Sequence, residues 1–439
     1  MTKYKLPSQQ GAATAVGPTA SALPLALLAS ALLALSGCAS TPPPTVDHAP
    51  PPVAVVPPPP APAPAPAPVA PPAPPTPVAF ETAIVNAATT LFKNASANVA
   101  RPRVVVIDPL VDAVSGQQNV ASRHIEKRLR EIVREQFPAF EVREFSSANV
   151  AKAPIVLVGT FTGIQLDNTT VGVPQAYRIC FALADLAADK IVAKSVARAI
   201  PEGINTTPTP YFADTPVWVK DAAVDAYIKT CQGTKLGDPI DPVYRERIDA
   251  ATLVSDAILA YEKRDFRRAL DLYGRAVRSA AGDQLRVHSG LYLANWKLGK
   301  RADAEKAFGH IVDNGIANNK LAVKLLFQPG KTDFWADKQV SGPYPIWLRQ
   351  IASRLAKTDR CLNVIGHTSR SGPEPVNERL SLARAQNIKW RLESATPDLV
   401  TRVKATGMGF RENVVGTGSD DLSDLQDRRV EFKIGACGA

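Results

Sequence analysis

The chain has 439 residues, which is enough for two or three domains. Its 51 Lys and Arg residues outnumber 41 Asp and Glu residues, so the formal net charge is +10. This excess is spread along the chain without a dense basic run or interleaved aromatic residues, and we therefore expect no nucleic-acid partner. A mild basic bias suits contact with anionic envelope polymers or lipid headgroups.

The first 38 residues form a targeting segment. Two lysines precede an apolar run at residues 22–35, which is too short for an ordinary membrane-spanning helix. The run ends in L-S-G-C, which resembles the box of bacterial lipoproteins. The resemblance implies a signal peptide at residues 1–38, lipidation of Cys38 and an outer-membrane anchor facing the periplasm, because Ala39 is not the aspartate associated with inner-membrane retention. The alternative is an ordinary secretory signal with an incidental cysteine.

Residues 39–79 are a proline-rich stalk. Between residues 42 and 77, 19 of 36 residues are proline, and most of the others are alanine or valine. Proline fixes φ and lacks an N–H group, so no core forms and a polyproline II spacer is expected. At ~3.1 Å per residue this spacer spans about 110 Å. A disordered stalk without a defined length is the alternative.

Residues 80–241 are predicted to form an α/β module. Helical patterns cover residues 80–94 and 122–137, and strand-like runs cover residues 104–107, 140–145, 155–161, 177–184 and 190–199. The phrases V-V-V-I-D, V-L-V-G-T-F and Y-R-I-C-F-A-L-A-D-L distantly resemble modules of envelope lipoproteins such as FlgO and LpoB, and of the N-terminal domain of TolB. That resemblance implies docking on envelope protein partners and no catalysis.

Residues 250–316 are predicted to be helical and to contain a weak repeat. Positions such as Tyr273 and Phe308, which are 35 residues apart, carry matching residue types. The spacing is close to the period of tetratricopeptide repeats, and A-Y-E-K-R-D-F-R-R-A-L-D-L-Y resembles a helix of that family. Two units rarely stand alone, so we expect them to pack against a neighbouring domain. The segment either binds a peptide on its concave face or serves as a spacer.

The last predicted domain, residues 321–436, contains a short strand, a glycine-containing turn and an amphipathic helix from about Val376. Asn377, Ser381 and Arg384 share one helix face because they stand at positions i, i+4 and i+7. The pattern predicts that the core-facing residues are Leu380, Ala383 and Ile388. A polar face with one guanidinium beside a tight turn can hold a small carboxylate.

Three blocks give this domain a resemblance to a known family. G-H-T-x-x-x-G, N-x-x-L-S-x-x-R-A and D-R-R-V-E-F follow one another in the order and spacing of the OmpA-like peptidoglycan-binding domain. The resemblance implies a βαβ sandwich that binds the peptidoglycan stem peptide. Arg384 would grip a diaminopimelate carboxylate, and the surrounding contacts would come from Thr368, Ser369, Asn377 and Leu380.

One position departs from the family pattern. Ser369 occupies the place of an aspartate that grips the ligand's ammonium group, and losing such a charged partner costs about 1.5–3 kcal/mol. Binding would then be weak, use Glu374 as a substitute anion, or be directed at a different peptide. Asn377 is alternatively a helix cap. His367 is expected to be structural, and Asp427 and Arg428 are expected to fix the last strand.

Four cysteines remain besides Cys38, namely Cys180, Cys231, Cys361 and Cys437. An even count in a periplasmic protein favours disulfides, and three pairings are possible. The domain division favours Cys180–Cys231 and Cys361–Cys437, and four buried free thiols are the alternative. The cysteine and histidine spacings match no zinc site, and neither a phosphate-binding nor a hydrolase motif is present, so we expect no metal, no cofactor and no enzymatic activity.

The sequence therefore predicts a multidomain α+β protein with an α/β module, a short helical repeat and an OmpA-like βαβ sandwich. We expect an outer-membrane lipoprotein that binds peptidoglycan non-covalently and tethers envelope layers or localises partners. The alternative is an envelope assembly or scaffold factor whose last domain has lost wall binding through Ser369. A wall hydrolase lacks any catalytic constellation in the sequence.

Overall fold

The computed structural model of the chain describes residues 74–98, 103–170, 172–217, 220–413, 424 and 427–438. The predicted signal segment, Cys38 and residues 39–73 of the predicted stalk lie outside this part, so those assignments stay predictions. Within the described part, every helix is too short or too polar to span a bilayer.

A five-stranded mixed sheet forms the centre of the N-terminal half. Its strands stand in the order β2-β1-β3-β4-β5. β1 runs parallel to β2 and β3, and β3, β4 and β5 form an antiparallel meander. The bounds are β1 (Arg103–Ile107), β2 (Phe140–Arg143), β3 (Ile155–Ile164), β4 (Ala176–Asp185) and β5 (Lys190–Ala199). All five predicted strands are present, with ends shifted by up to three residues.

Helices cover both faces of this sheet. Val105 and Ile107 of β1 are buried against α1 and α2, whereas Val106 is buried against α5 and α6 on the other side. Strands buried on both faces read as continuous apolar runs, which explains the V-V-V-I pattern. The helices of this half are α1 (Phe80–Asn98), α2 (Val120–Gln136), α3 (Ser147–Val150), α4 (Pro210–Asp214), α5 (Ala222–Gln232) and α6 (Pro242–Glu262).

The helical segment begins earlier than the sequence pattern indicated. It consists of α6, α7 (Phe266–Val277), α8 (Leu285–Lys297) and α9 (Arg301–Ala317). The N-terminal half of α6 packs on the first sheet through Tyr244 and Ile248, and its C-terminal half packs with the later helices through Ile258. One helix therefore joins two segments that the sequence pattern separated at residues 241–250.

A four-stranded sheet organises the C-terminal region. Its order is β6-β9-β7-β8, with β9 antiparallel to both neighbours and β8 parallel to β7. The strands are β6 (Lys320–Leu326), β7 (Cys361–Gly366), β8 (Val403–Gly407) and β9 (Arg429–Gly435). The helices are α10 (Lys338–Ser341), α11 (Tyr344–Leu355) and α12 (Glu374–Ala395), followed by a 3-10 turn (Pro397–Leu399). The chain thus has the predicted multidomain α+β architecture.

The helical segment and the C-terminal sheet share one hydrophobic core. The Phe308 ring of α9 stacks on Trp347 of α11 with 5.3 Å between ring centroids. The Trp347 indole N–H also donates a 2.9 Å hydrogen bond to the Tyr292 hydroxyl of α8. The helical segment thus packs against its neighbour, as expected, whereas its repeat character stays a prediction.

The cysteines divide into one covalent pair and one close pair. Cys361 and Cys437 form a disulfide that joins the start of β7 to the residues after β9, as predicted. Cys180 of β4 and Cys231 of α5 are buried neighbours, but they are free thiols with 2.8 Å between their sulfurs. The second predicted bridge is therefore not formed in the structure, although the two residues lie together as that prediction requires.

Candidate ligand-binding site of the C-terminal domain

Two glycines let α12 lie directly on the sheet. A Cβ atom at Gly366 of β7 would stand 1.9 Å from the Ser381 carbonyl oxygen, and one at Gly407 of β8 would stand 2.6 Å from the Ser381 hydroxyl. Because both positions lack a side chain, the helix backbone approaches the two strands closely. This contact fixes the helix relative to the loop that follows β7.

Hydrogen bonds attach the loop after β7 to its surroundings. The Ser381 hydroxyl donates to the Glu378 carbonyl at 2.8 Å and accepts from the Gly409 N–H at 2.9 Å. The Gly409 carbonyl in turn accepts from the Thr368 N–H at 2.9 Å. Ser381 and Gly409 thus hold the loop through a short chain of hydrogen bonds.

Arg384 lies beneath this loop and is 0% exposed. Its Nε, Nη1 and Nη2 atoms donate hydrogen bonds to three backbone carbonyls at 2.9–3.0 Å, namely those of Lys331, His367 and Gln328. The guanidinium also stands 5.3 Å from the Phe327 ring centroid, a cation–π distance. Arg384 therefore ties the segment after β6 to the loop after β7.

This arrangement sets a condition on any ligand at Arg384. A guanidinium has five N–H donors, and three of them here are held by carbonyls. Residues 329–331 are solvent-exposed and cover the side chain from the segment after β6. A carboxylate that pairs with Arg384 must therefore approach the guanidinium past these three carbonyls.

Asn377 closes the turn that precedes α12. Its side-chain nitrogen donates to the Ser371 carbonyl at 2.8 Å and lies 3.3 Å from the carbonyls of Gly372 and Pro373. The residue at the N-cap is Pro373. The cap role considered for Asn377 is therefore wrong, since its amide bonds the turn carbonyls and not the helix N–H groups.

The other predicted ligand residues lie on the same loop and helix. Ser369 is buried, with its hydroxyl oxygen 3.4 Å from that of Ser371. Thr368 is also buried, and its hydroxyl has no hydrogen-bond partner among the residues that the structure describes. Leu380 is half-buried on α12. The structure thus brings together all five residues predicted to bind the wall peptide.

The core-facing side of α12 differs from the prediction. Leu380 and Ala383 are only half-buried, and the helix packs on the sheet through Ala385, Ile388 and Leu392. Compared with the predicted orientation, the helix is rotated about its axis, because Ser381 and Arg384 occupy the buried face. Polar residues therefore hold positions that a hydrophobic pattern assigns to apolar ones.

The ring of His367 is buried directly after β7, and its structural role stays a prediction. Among the described residues neither ring nitrogen has a hydrogen-bond partner, and burial together with the nearby Arg429 charge lowers the pKa of His367 to about 3. The imidazole is therefore neutral at physiological pH. Arg429 pairs with Glu431 at 2.6 Å and donates to the Glu412 carbonyl, but its Nη1 atom is buried without a partner.

Arg429 was not among the predicted site residues, although the D-R-R-V-E-F block contains it. Asp427 is buried and accepts a 2.9 Å hydrogen bond from the Asn413 amide. Arg428 is buried with its guanidinium 5.9 Å from the Trp335 ring centroid. Both contacts agree with a local role in fixing β9. The spacing of the block did not indicate which of Arg428 and Arg429 lies beside His367 and which only fixes β9.

Glu374 does not face the ligand loop as a free anion. It lies in the exposed first turn of α12, and its carboxylate is 3.5 Å from Arg411, which also pairs with Glu378. The substitute-anion interpretation is therefore unsupported by its contacts. Within the part of the chain that the structure describes, no group of three His, Cys, Asp or Glu residues is arranged to hold a metal ion.

Residues 326–424 match the model of the OmpA family. The C-terminal part of the chain is therefore OmpA-like, and the resemblances proposed for the α/β module and the helical repeat stay predictions. No curated protein matches the chain.

Several solved structures are similar to the chain over about a quarter of its length. A peptidoglycan-associated lipoprotein from Burkholderia pseudomallei is 21% identical, and the match covers 26% of this chain and 89% of that one with a TM-score of 0.22. A cell wall anchor of the T6SS from Pseudomonas aeruginosa is 25% identical, covering 28% and 94% with a TM-score of 0.22. The C-terminal domain of Helicobacter pylori MotB is 16% identical, covering 26% and 85% with a TM-score of 0.22.

Proposed function

We propose that this protein binds peptidoglycan non-covalently through its OmpA-like domain and so holds an envelope protein at the cell wall. The observation that carries the proposal is the family match over residues 326–424, which includes the loop after β7 and Arg384. The names of a peptidoglycan-associated lipoprotein and a cell wall anchor among the similar structures agree with it. The ligand is the stem peptide, whose carboxylates suit a buried guanidinium.

The anchoring part of the proposal rests on the sequence. Lipidation of Cys38 would hold the protein in the outer membrane, and the proline-rich residues 39–79 would let the folded part leave the membrane surface. The wall would then be reached from the periplasmic side. With one attachment to the membrane through Cys38 and one to the wall through the OmpA-like domain, the protein would tether two envelope layers or localise a protein partner at the wall.

The chemistry of capture involves Arg384 and the loop above it. The ligand carboxylate would reach Arg384 past the carbonyls that accept from it, and the exposed residues 329–331 lie on the side of the Lys331 and Gln328 carbonyls. Thr368 offers a hydroxyl without an internal partner, so a ligand atom can accept from it or donate to it. Asn377 keeps the turn in shape through its bond to the Ser371 carbonyl.

A sedimentation assay on purified peptidoglycan tests the proposal with the full-length protein. Arg384→Lys keeps the charge but loses the planar fork, and we expect its retention on the wall to fall at least about 10-fold, the equivalent of one bidentate bond. Arg379→Lys on the exposed face of the same helix is the matched control and should sediment like the wild type. Thermal unfolding must show that both variants are folded. Equal sedimentation of wild type and Arg384→Lys would remove Arg384 from the mechanism.

A specific observation favours a second candidate, an assembly or scaffold factor without wall affinity. Ser369 supplies no charge at the position of the family's aspartate, and Arg384 is buried and donates to three backbone carbonyls. In this case the N-terminal sheet and the helical segment recruit envelope partners, and the last domain serves as a structural support for them.

Ser369→Asp separates the two candidates. If the native site is degenerate, restoring the carboxylate should convert a protein that stays in the supernatant into one that sediments with peptidoglycan. If the native site already binds, the same change should alter retention only modestly. Ser371→Asp, two residues further along the loop, controls for the added charge.

A further inference from the structure

A cleft lies at the carboxyl ends of β1 and β2, far in sequence from the OmpA-like domain. After β1 the chain crosses to β2 on one side, and after β2 it returns to β3 on the other side of β1. Ligands of open α/β sheets bind outside the carboxyl ends of strands where the direction of winding reverses in this way. Here α6 closes the opening, so the cleft lies between the first sheet and the helical segment.

The inner part of the cleft is a cavity of about 50 Å³. Asp108, the residue after β1, lines it and is 7% exposed. Its Oδ2 atom accepts a 2.8 Å hydrogen bond from the Tyr244 hydroxyl, whereas its Oδ1 atom accepts none from the described residues. The second carboxylate oxygen is therefore available to a donor in the cavity.

Two further side chains in the lining have unsatisfied polar atoms. Gln118 is 3% exposed, and its Oε1 atom is buried without a hydrogen-bond partner. The Nε atom of Arg247 on α6 is buried and also lacks one. Buried polar groups are nearly always hydrogen-bonded, so two such atoms around one cavity indicate a molecule that fits between them.

Three helices begin beside the cavity. Gln118 precedes the first turn of α2, Ala223 lies in the first turn of α5, and Gln284 is the N-cap of α8. The Asp221 carboxylate already accepts from the first turns of α5 and α8, so the helix ends supply no open anion site. The Arg247 guanidinium is the group that favours a carboxylate, while Gln118 and Asp108 offer acceptors for N–H donors.

The inner cavity adjoins a wider one. Pro109 and Ser255 line both, and the outer cavity has a volume of about 520 Å³. Its walls carry charges of both signs, among them Arg130, Arg268 and Asp256. A volume of this size is typical of a small-molecule site, whereas the inner cavity admits only the end of such a molecule.

We infer that this cleft binds a free amino acid or the end of a short peptide, with a carboxylate at Arg247 and N–H donors at Gln118 and Asp108. The remainder of a peptide would lie in the outer cavity among its mixed charges. Such a ligand would bridge the first sheet and α6, and the site is independent of the proposed wall contact at Arg384.

Calorimetric titration of the full-length protein tests the inference with four probes. The dipeptide alanyl-alanine and alanine carry both groups, whereas acetate and methylamine each carry one. We expect saturable binding of the dipeptide with a Kd below about 1 mM and at least about 10-fold weaker binding of acetate and methylamine. Tighter binding of the dipeptide than of alanine would identify a peptide end, and equal binding would identify a free amino acid.

Arg247→Gln should weaken dipeptide binding at least about 10-fold. Arg245→Gln is the matched control, because Arg245 lies on the same helix but faces Asp189 outside the cleft. Gln118→Leu provides a second variant if Arg247→Gln fails to fold. Absence of saturable heat with any probe at about 10 mM, or crystals soaked with the dipeptide that contain only water at Asp108, would overturn the inference.

Discussion

The close contact between α12 and the C-terminal sheet makes a sharp prediction for Gly366→Ala. The added methyl group would meet the Ser381 carbonyl oxygen at 1.9 Å and its carbon at 2.8 Å. Both are backbone atoms, so no side-chain rotation relieves the contact. Real Cβ atoms essentially never come closer than 3.0 Å, so α12 must retreat by about 1.1 Å, the difference between these distances.

The energetic cost follows from what that retreat disturbs. α12 is 22 residues long and contributes Ala385, Ile388 and Leu392 to the shared core. Overpacking of this kind costs typically 1–3 kcal/mol, and because β7 lies inside the sheet we expect the upper end, about 3 kcal/mol. For a cooperative unit of about 200 residues this corresponds to a fall in Tm of about 6–12 °C.

Urea unfolding followed by tryptophan fluorescence measures this cost. Four of the five tryptophans lie between residues 296 and 390, so the signal reports on the helical segment and the C-terminal domain. Gly435→Ala in the neighbouring strand is the matched control, because a methyl group there meets no atom within 4 Å. We expect the control to unfold within about 0.5 kcal/mol of the wild type. Identical midpoints for the two variants would refute the close packing of α12 on β7.

Three more predictions concern the rest of the described chain. Trp347→Ala should lower the free energy of unfolding by about 3–5 kcal/mol. Because the Phe308 stack and the Tyr292 hydrogen bond join the helical segment and the C-terminal region in one core, amide exchange should increase in α9 and α12 together. A change confined to one of these helices would contradict this. Burial lowers the pKa of Lys324 to about 7, so the folded state binds fewer protons than the unfolded state between pH 7 and about 10. The free energy of unfolding should therefore rise in this range by up to about 1.4 kcal/mol per pH unit. Lys324→Met should flatten this pH dependence in urea unfolding. Mild oxidation should join Cys180 to Cys231 and stabilise the first domain by about 4 kcal/mol. The measurement is a rise in the midpoint of urea unfolding that a reductant reverses. Cys180→Ala should show no such rise.

Much of the local structure was available from sequence periodicity. The apolar run before Asp108 predicted β1, and the spacing of Asn377, Ser381 and Arg384 placed these residues on one helix face. Residue patterns with periods of two and 3.6 record local geometry, which the backbone imposes in any environment. The predicted pairing of Cys361 with Cys437 is confirmed, because Cys361 begins β7 and Cys437 follows the neighbouring strand β9 by two residues.

Contacts between distant segments were not available in the same way. Periodicity showed that Arg384 and Ser381 lie on one helix face, but it did not show that this face is buried. The guanidinium can be buried because it donates to backbone carbonyls of residues about 17 to 56 positions away in the sequence. The same limit applies to α6, which is one helix although the sequence pattern separated its two ends into different segments, and whose two halves pack in different cores.

The sequence by itself determined the five strands and two helices of the first module and the three blocks that mark the OmpA-like domain. The tertiary structure decided which polar atoms find partners: it joined Arg384 to three carbonyls and left Gln118 and Arg247 unsatisfied around one cavity. The physical reason is that hydrogen bonding and burial depend on distances between segments far apart in the chain, whereas helix and strand patterns depend on neighbours only.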